Sequence, residues 1–295
     1  MTDFSQPQPP TGFAPPPQAT LGVIDATGMG WRLMMADFWN LWLVALVAWL
    51  VSVGVGMVSC LMFATCVLAC AAPVVGFFVE PPILAGFFRA VSRRIDGMAV
   101  QVDDLFAAFR QCYWPAVLAG LPLMLIDAAS GLAGNLGRPV GDMMAGLSRS
   151  GDVDEAAAIA IIVGVGVLVL LVGLALFVLR MFFGFALLAV WDTPKDGVAA
   201  IKESMRLVWA HFWSVLGFTL LFAVLWLAAT LAGVLMLIVG LLFTLPAVAV
   251  WEKATMVYLY RTWTGRPLSA AVADPFSPPP DDGPIMPTSI ESPVS

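Results

Sequence analysis

Residues 38–79 read FWNLWLVALVAWLVSVGVGMVSCLMFATCVLACAAPVVGFFV, a run of 42 without a single Asp, Glu, Lys or Arg. The hydrocarbon core of a bilayer is about 30 Å thick, and a helix rising about 1.5 Å per residue crosses it with roughly 20 apolar residues. The run is therefore long enough for two crossings. A second uncharged run covers residues 212–251. Each follows a copy of one short pattern, Arg32-Leu33-x-x-Ala36-x-Phe38-Trp39 in the first half and Arg206-Leu207-x-x-Ala210-x-Phe212-Trp213 in the second. These features predict a duplicated, all-α polytopic membrane helix bundle.

Composition agrees. Of 295 residues, 60% are hydrophobic and 12% charged, with a mean hydropathy of +0.92, whereas about a quarter of a soluble domain is charged. The net charge of −6 is concentrated in the flanks: Asp3 and Asp25 in residues 1–31, and Asp274, Asp281, Asp282 and Glu291 in residues 267–295, with no base in either. That excludes the basic face a nucleic-acid binder needs. Residues 1–27 are rich in proline, and residues 267–295 in Pro, Ser and Asp. Such compositions do not bury enough apolar area to offset ordering entropy, so both are expected to be disordered tails around a membrane domain at 28–266. The first thirty residues lack a basic start and an apolar core, so the first span is expected to act as an uncleaved insertion signal.

Six spans are expected, at about 40–60, 64–90, 113–133, 156–191, 213–230 and 231–259. The first pair turns near Ser59 to Thr65, and a polar loop occupies 134–154. With six spans, Arg32, Arg89, Arg93, Arg94, Arg110, Lys195, Lys202, Arg206, Lys253, Arg261 and Arg266 fall on one side, and only Arg138 and Arg149 on the other. Short cytoplasmic loops are enriched in Lys and Arg, so both termini are expected in the cytoplasm of a bacterial cell, with the chain in its inner membrane. Most tryptophans cluster at the same helix ends, as an interfacial aromatic belt does.

Four spans separate the two copies of the pattern, so the repeat, about 28–97 and 196–265, is expected to be parallel. Its ends also rhyme, in Arg93-x-x-x-Gly97 and Arg261-x-x-x-Gly265. Short amphipathic segments at 103–110 and 195–210 are expected to lie in the interface as elbow helices.

The order of these motifs resembles a known group. A Gly-Trp-Arg-Leu stretch at 30–33, Pro82-x-x-Ala85-Gly86, Arg93-x-x-x-Gly97, Asp-Leu-Phe-x-x-Phe at 104–109, Asp192 followed by Ala200-x-x-x-Ser204, and Tyr260-Arg261 are similar to bacterial multi-pass proteins that look like the membrane domain attached to some glycerophosphoryl diester phosphodiesterases. The resemblance covers roughly 28–266. It implies a six-helix inner-membrane domain and no activity.

Catalytic signatures are absent from the sequence. His211 is the only histidine, which excludes a His-based zinc site and makes an interfacial structural role its expected one. No P-loop, Gly-x-Ser-x-Gly or dinucleotide fingerprint occurs, so no cofactor, metal or enzymatic activity is expected. Cys60, Cys66 and Cys70 read as small apolar residues, with a Cys60–Cys66 disulfide as the alternative. Ser52 and Gly56, Ala160 and Gly164, Gly166 and Gly173, and Gly233 and Gly240 are spaced for close interhelical contact.

The candidate site consists of intramembrane charges, because a charge near a helix centre costs roughly 2.5–3.5 kcal/mol on insertion scales and faces a bundle interior or a wet cavity. Glu80, Arg180 and Glu252 lie nine to twelve residues before a charged or polar helix end, at shared depth, so Arg180 is expected to bridge the two glutamates. Asp127, five residues after Pro122, is the more isolated acid. Two further readings stay open: over-long helices that let these groups snorkel to water, and a substrate or ion path. The expected function is a non-enzymatic scaffold or accessory protein of the cell envelope, surrounded by lipid, whose proline-rich tails engage cytoplasmic partners. The alternative is a small-solute or lipid transporter using the intramembrane charges.

Overall fold

Backbone amides in a bilayer have no water to bond, so an uncharged apolar run closes its hydrogen bonds within itself as a helix. A computed structural model describes residues 22–64, 72–150, 155–192 and 196–266, and among these every regular element is an α-helix. The order is α1 (Val23–Ala36), α2 (Phe38–Ala64), α3 (Ala72–Ile95), α4 (Asp103–Gln111), α5 (Tyr113–Ser150), α6 (Glu155–Phe183), α7 (Ala186–Asp192), α8 (Gly197–Ala210), α9 (Phe212–Leu235) and α10 (Leu237–Trp263). Six stretches are long and apolar enough to cross a membrane: Phe38–Val58, Val75–Ile95, Tyr113–Gly131, Val163–Asp192, Phe212–Leu235 and Gly240–Trp263.

Several boundaries differ from the sequence expectation. Residues 23–27, assigned above to the tail, are helical, because Ala26 and Thr27 are buried and Trp251 Nε1 on α10 donates to the Thr27 carbonyl (2.8 Å). α2 continues through the expected turn to Ala64, so its connection to α3 falls in residues outside the described set. The segment expected to be a polar loop is helical as far as Ser150. Its Leu136, Val140, Met143, Met144 and Leu147 recur at helical spacing, a signal that its polar composition hides. The fourth span is broken at Gly184 and Phe185. There the buried Ser204 hydroxyl donates to the Phe182 carbonyl (2.7 Å), one of those the break frees from the helical ladder. Residues 1–21 and 267–295 of the expected tails, and the side chains of Cys60 and Cys66, lie outside the described set.

α10 lies at the centre, packed against α1, α2, α3 and α9, while α3 packs against α2, α4, α5 and α7. The tight part of the bundle is its basic end. Ile83, Val91, Ile95, Leu105, Leu187, Leu188, Tyr258 and Tyr260 are almost wholly buried there. Toward the other end the helices spread, and Leu61, Leu170 and Leu235 are 67%, 69% and 85% exposed. In a bilayer those side chains meet lipid rather than protein. The small-residue pairs do not follow this division: Gly233 and Gly240, at the spread end where α9 turns into α10, approach until a Cβ on Gly240 would stand 2.8 Å from the Gly233 carbonyl, whereas Gly56, Gly164, Gly166 and Gly173 face open space.

Ion pairs hold the basic end together. Asp104, 3% exposed, accepts from Arg93 Nη1 (2.9 Å) and from the Gln101 amide (3.1 Å) and pairs with Arg89 Nε (3.1 Å). Arg261, 7% exposed, clasps Asp96 with two donors (2.5 and 3.1 Å) and reaches Asp192 (3.2 Å), which also holds Arg266 (2.7 Å). α3, α7 and α10 are thereby tied at one level. Both α3 and α10 end on a glycine at positive φ, Gly97 at 77° and Gly265 at 69°. In each case the following amide reaches back five residues, Met98 to the Arg93 carbonyl (2.9 Å) and Arg266 to the Arg261 carbonyl (2.8 Å), the bond that defines a Schellman cap.

Candidate functional site

A charge held in an apolar span must find a partner, and the four candidate residues find different ones. Arg180, in the last turn of α6, is paired through Nη1 with Asp127 of the adjacent helix α5. Glu252, on α10, has both carboxylate oxygens occupied: Oε1 accepts from Lys253 Nζ (2.7 Å) and Oε2 from Trp226 Nε1 (2.7 Å). Glu80 sits directly before Pro81 and Pro82 inside α3, close enough to Asp127 for the two charges to interact, and among the described residues it makes no ion pair. The bridge expected from Arg180 to both glutamates is thus replaced by an Arg180–Asp127 pair. Shared depth says nothing about azimuth, and α5 is the closer neighbour of α6.

Arg180 and Glu252 nevertheless line one cavity, of about 510 Å³, together with Lys253. Its walls come from α2, α3, α6, α9 and α10 and are mostly apolar, with Ala48, Phe177 and Phe222 among them. The Arg180 side chain is 62% exposed, so the space opens toward the surroundings of the bundle. Arg180 also borders a second cavity, of about 360 Å³, beside Ile126 and Ser130 on α5. The Lys253 ammonium lies 5.7 Å from the centre of the Phe88 ring, within cation–π range.

Glu252 and Lys253 lie ten or eleven residues before Trp263, the end of α10. At about 1.5 Å per residue that is roughly 15 Å from the helix end, about half the thickness of a bilayer core. The chemistry on offer is polar recognition inside an apolar pocket: one guanidinium, one ammonium and one carboxylate against hydrocarbon walls. Among the described residues no three His, Cys, Asp or Glu side chains converge as metal ligands do. Cys112, at the junction of α4 and α5, is half-buried, and burial pushes its thiol up, with Arg89 pulling the other way.

Sequence reasoning passed over Lys253 and Trp226. In the sequence Lys253 reads as one of the bases of the cytoplasmic side. The signal for Trp226 was its depth, since an indole N–H far from the interface needs an acceptor.

The profile of a domain of unknown function (DUF7847) matches residues 23–265. The chain belongs to this family. Its matched region begins with α1 and ends at the Gly265 cap, so in this DUF7847 protein the domain includes the short helices α1, α4, α7 and α8 and all six apolar stretches. No curated protein and no solved structure matches the chain.

Proposed function

We propose that this DUF7847 protein binds an amphiphile, a lipid or a lipophilic small solute, inside its bundle and moves or presents it within the membrane. The observation that carries this reading is the cavity beside Arg180, Glu252 and Lys253. Apolar walls suit an acyl or aromatic body, and the charges suit a polar head.

The proposed setting is a bacterial inner membrane with both termini in the cytoplasm and a parallel repeat of short elbow helix plus helix pair. Supporting the repeat, the chain leaves helical geometry at Asp37 and again at His211, the equivalent positions of the two patterns, and both halves close on a glycine cap. Supporting the elbows, Trp39, Trp114, Trp209 and Trp213 are all largely exposed at the junctions of short and long helices. Kinship with the membrane domain attached to some glycerophosphoryl diester phosphodiesterases is proposed on the motifs given above. The accessory or scaffold reading keeps one observation in its favour, the sealed, ion-paired basic end.

The test is saturable binding of a fluorescent acyl-chain probe to the purified chain. Filling the cavity with Ala48→Phe and Ala223→Leu should weaken binding at least tenfold while Trp39→Phe, outside the cavity, leaves it unchanged. Equal binding by the filled and unfilled proteins would remove the cavity from the function and leave the scaffold reading.

A further inference from the structure

A second polar cavity lies at the basic end, away from the site above. α8, the end of α10 and Arg266 just past its cap enclose about 390 Å³, lined by Glu203, Arg206, His211, Trp263 and Arg266 among others. A shallower space of about 280 Å³ adjoins it along α8, bordered by Lys202, Glu203 and Arg206.

Its charges are unevenly satisfied. Arg266 is engaged by Asp192 (2.7 Å), and Glu203 accepts from the Tyr260 hydroxyl (2.9 Å). Arg206 is exposed and, among the described residues, makes no ion pair. Lys202 stands one turn before it, also exposed. Lys202 and Arg206 against Glu203 leave one positive charge beside these spaces. The His211 ring lies flat on Trp263, with centroids 4.5 Å apart and planes at 10°, and its Nδ1 is 3.2 Å from the Leu207 carbonyl.

The first half of the chain makes a useful contrast. There Asp37 holds the position that His211 holds in the second, and its carboxylate pairs with Arg94 (3.4 Å). An acid at that junction takes up a cation, whereas a histidine does not, and the second half keeps its positive character. Trp209 and Trp213, each two residues from His211 in the chain, are 76% and 79% exposed. Indoles so exposed at a span end belong at the headgroup level of a bilayer, the depth of lipid phosphates.

We propose that the space between Lys202, Arg206, His211 and Arg266 is a binding site for a phosphate-bearing anion, supplied by the headgroup of an anionic phospholipid. A guanidinium fork meets two phosphate oxygens at once, an ammonium adds a point charge, and the stacked His211–Trp263 pair forms a flat wall for the ester.

The experiment is a titration of the full chain in detergent, read by native mass spectrometry, with phosphatidylglycerol and with phosphatidylcholine of the same acyl chains, each with and without millimolar inorganic phosphate. Phosphatidylglycerol is expected to bind about tenfold more tightly than phosphatidylcholine. Arg206→Gln is expected to weaken it about fivefold or more, and His211→Asp, which copies the first half, likewise. Arg32→Gln, the exposed equivalent in the first half, should leave it unchanged. Inorganic phosphate that protects the chain from heating, loses that effect in Arg206→Gln and leaves the two lipids equal would support the site but identify its ligand as soluble. Equal affinity for both lipids without any phosphate effect overturns the proposal. So does an Arg32→Gln loss as large as that of Arg206→Gln, which would mean diffuse surface charge. Because Arg206 is exposed and makes no ion pair among the described residues, its variant retains the packed core, and an unchanged titration in it also overturns the site.

Discussion

The Arg261 guanidinium is 7% exposed and is shared by Asp96 and Asp192. Breaking a fully buried ion pair costs about 3–5 kcal/mol; Asp192 keeps Arg266 and Asp96 is 37% exposed, so the loss of Arg261 falls toward the low end of that range. Arg261→Gln should therefore lower the unfolding midpoint of the detergent-solubilised chain clearly, whereas Arg110→Gln should barely shift it. Arg110 pairs with Asp103 where both side chains are about two-thirds exposed, and such pairs contribute only about 0–1 kcal/mol. An equal shift in the two variants would show that burial is not what makes the Arg261 cluster matter. The sequence marked Arg261 only as a helix end that rhymes with Arg93. Its partners lie 165 and 69 residues away and were not legible. The same holds for Arg180, whose depth could be read from the chain but whose partner Asp127 could not.

Among the elements, the contact of α3 with α4 depends on a missing side chain. A Cβ on Gly86 would stand 2.0 Å from the Leu105 carbonyl oxygen, a backbone atom that cannot move unless α4 moves with it. Gly86→Ala is expected to destabilise the fold by about 1–3 kcal/mol, the usual range for overpacking, and to loosen Asp104 from Arg89 and Arg93. Gly173→Ala on α6, where nothing lies within 4 Å, should be neutral or slightly stabilising. Thermal unfolding of the two variants side by side checks this, and a neutral Gly86→Ala would refute the packing. Element boundaries were the least legible feature. The helix through 134–150 was hidden by polar composition, and the start of α1 by the proline-rich stretch before it. The resulting error is a matter of residues, not of the number of apolar stretches.

For the whole molecule, the proposed topology makes a direct prediction: a reporter fused at residue 141 and one fused after residue 295 should report opposite compartments, because three spans separate them. The same compartment for both would refute the six-span arrangement. The uneven burial, tight at the basic end and spread at the other, also means that lipid composition should affect stability more than it would in a sealed bundle. What the sequence determined by itself is the all-helical character and the six apolar stretches, since backbone hydrogen bonding in an apolar solvent is a local requirement met residue by residue. What only the tertiary structure decided is which helices face one another: the pairing of Arg180 with Asp127, the sharing of Glu252 between Lys253 and Trp226, and the two cavities at Arg180. Those depend on azimuth and on packing between residues distant in the chain, and the length of a helix carries no information about the direction in which its charges point.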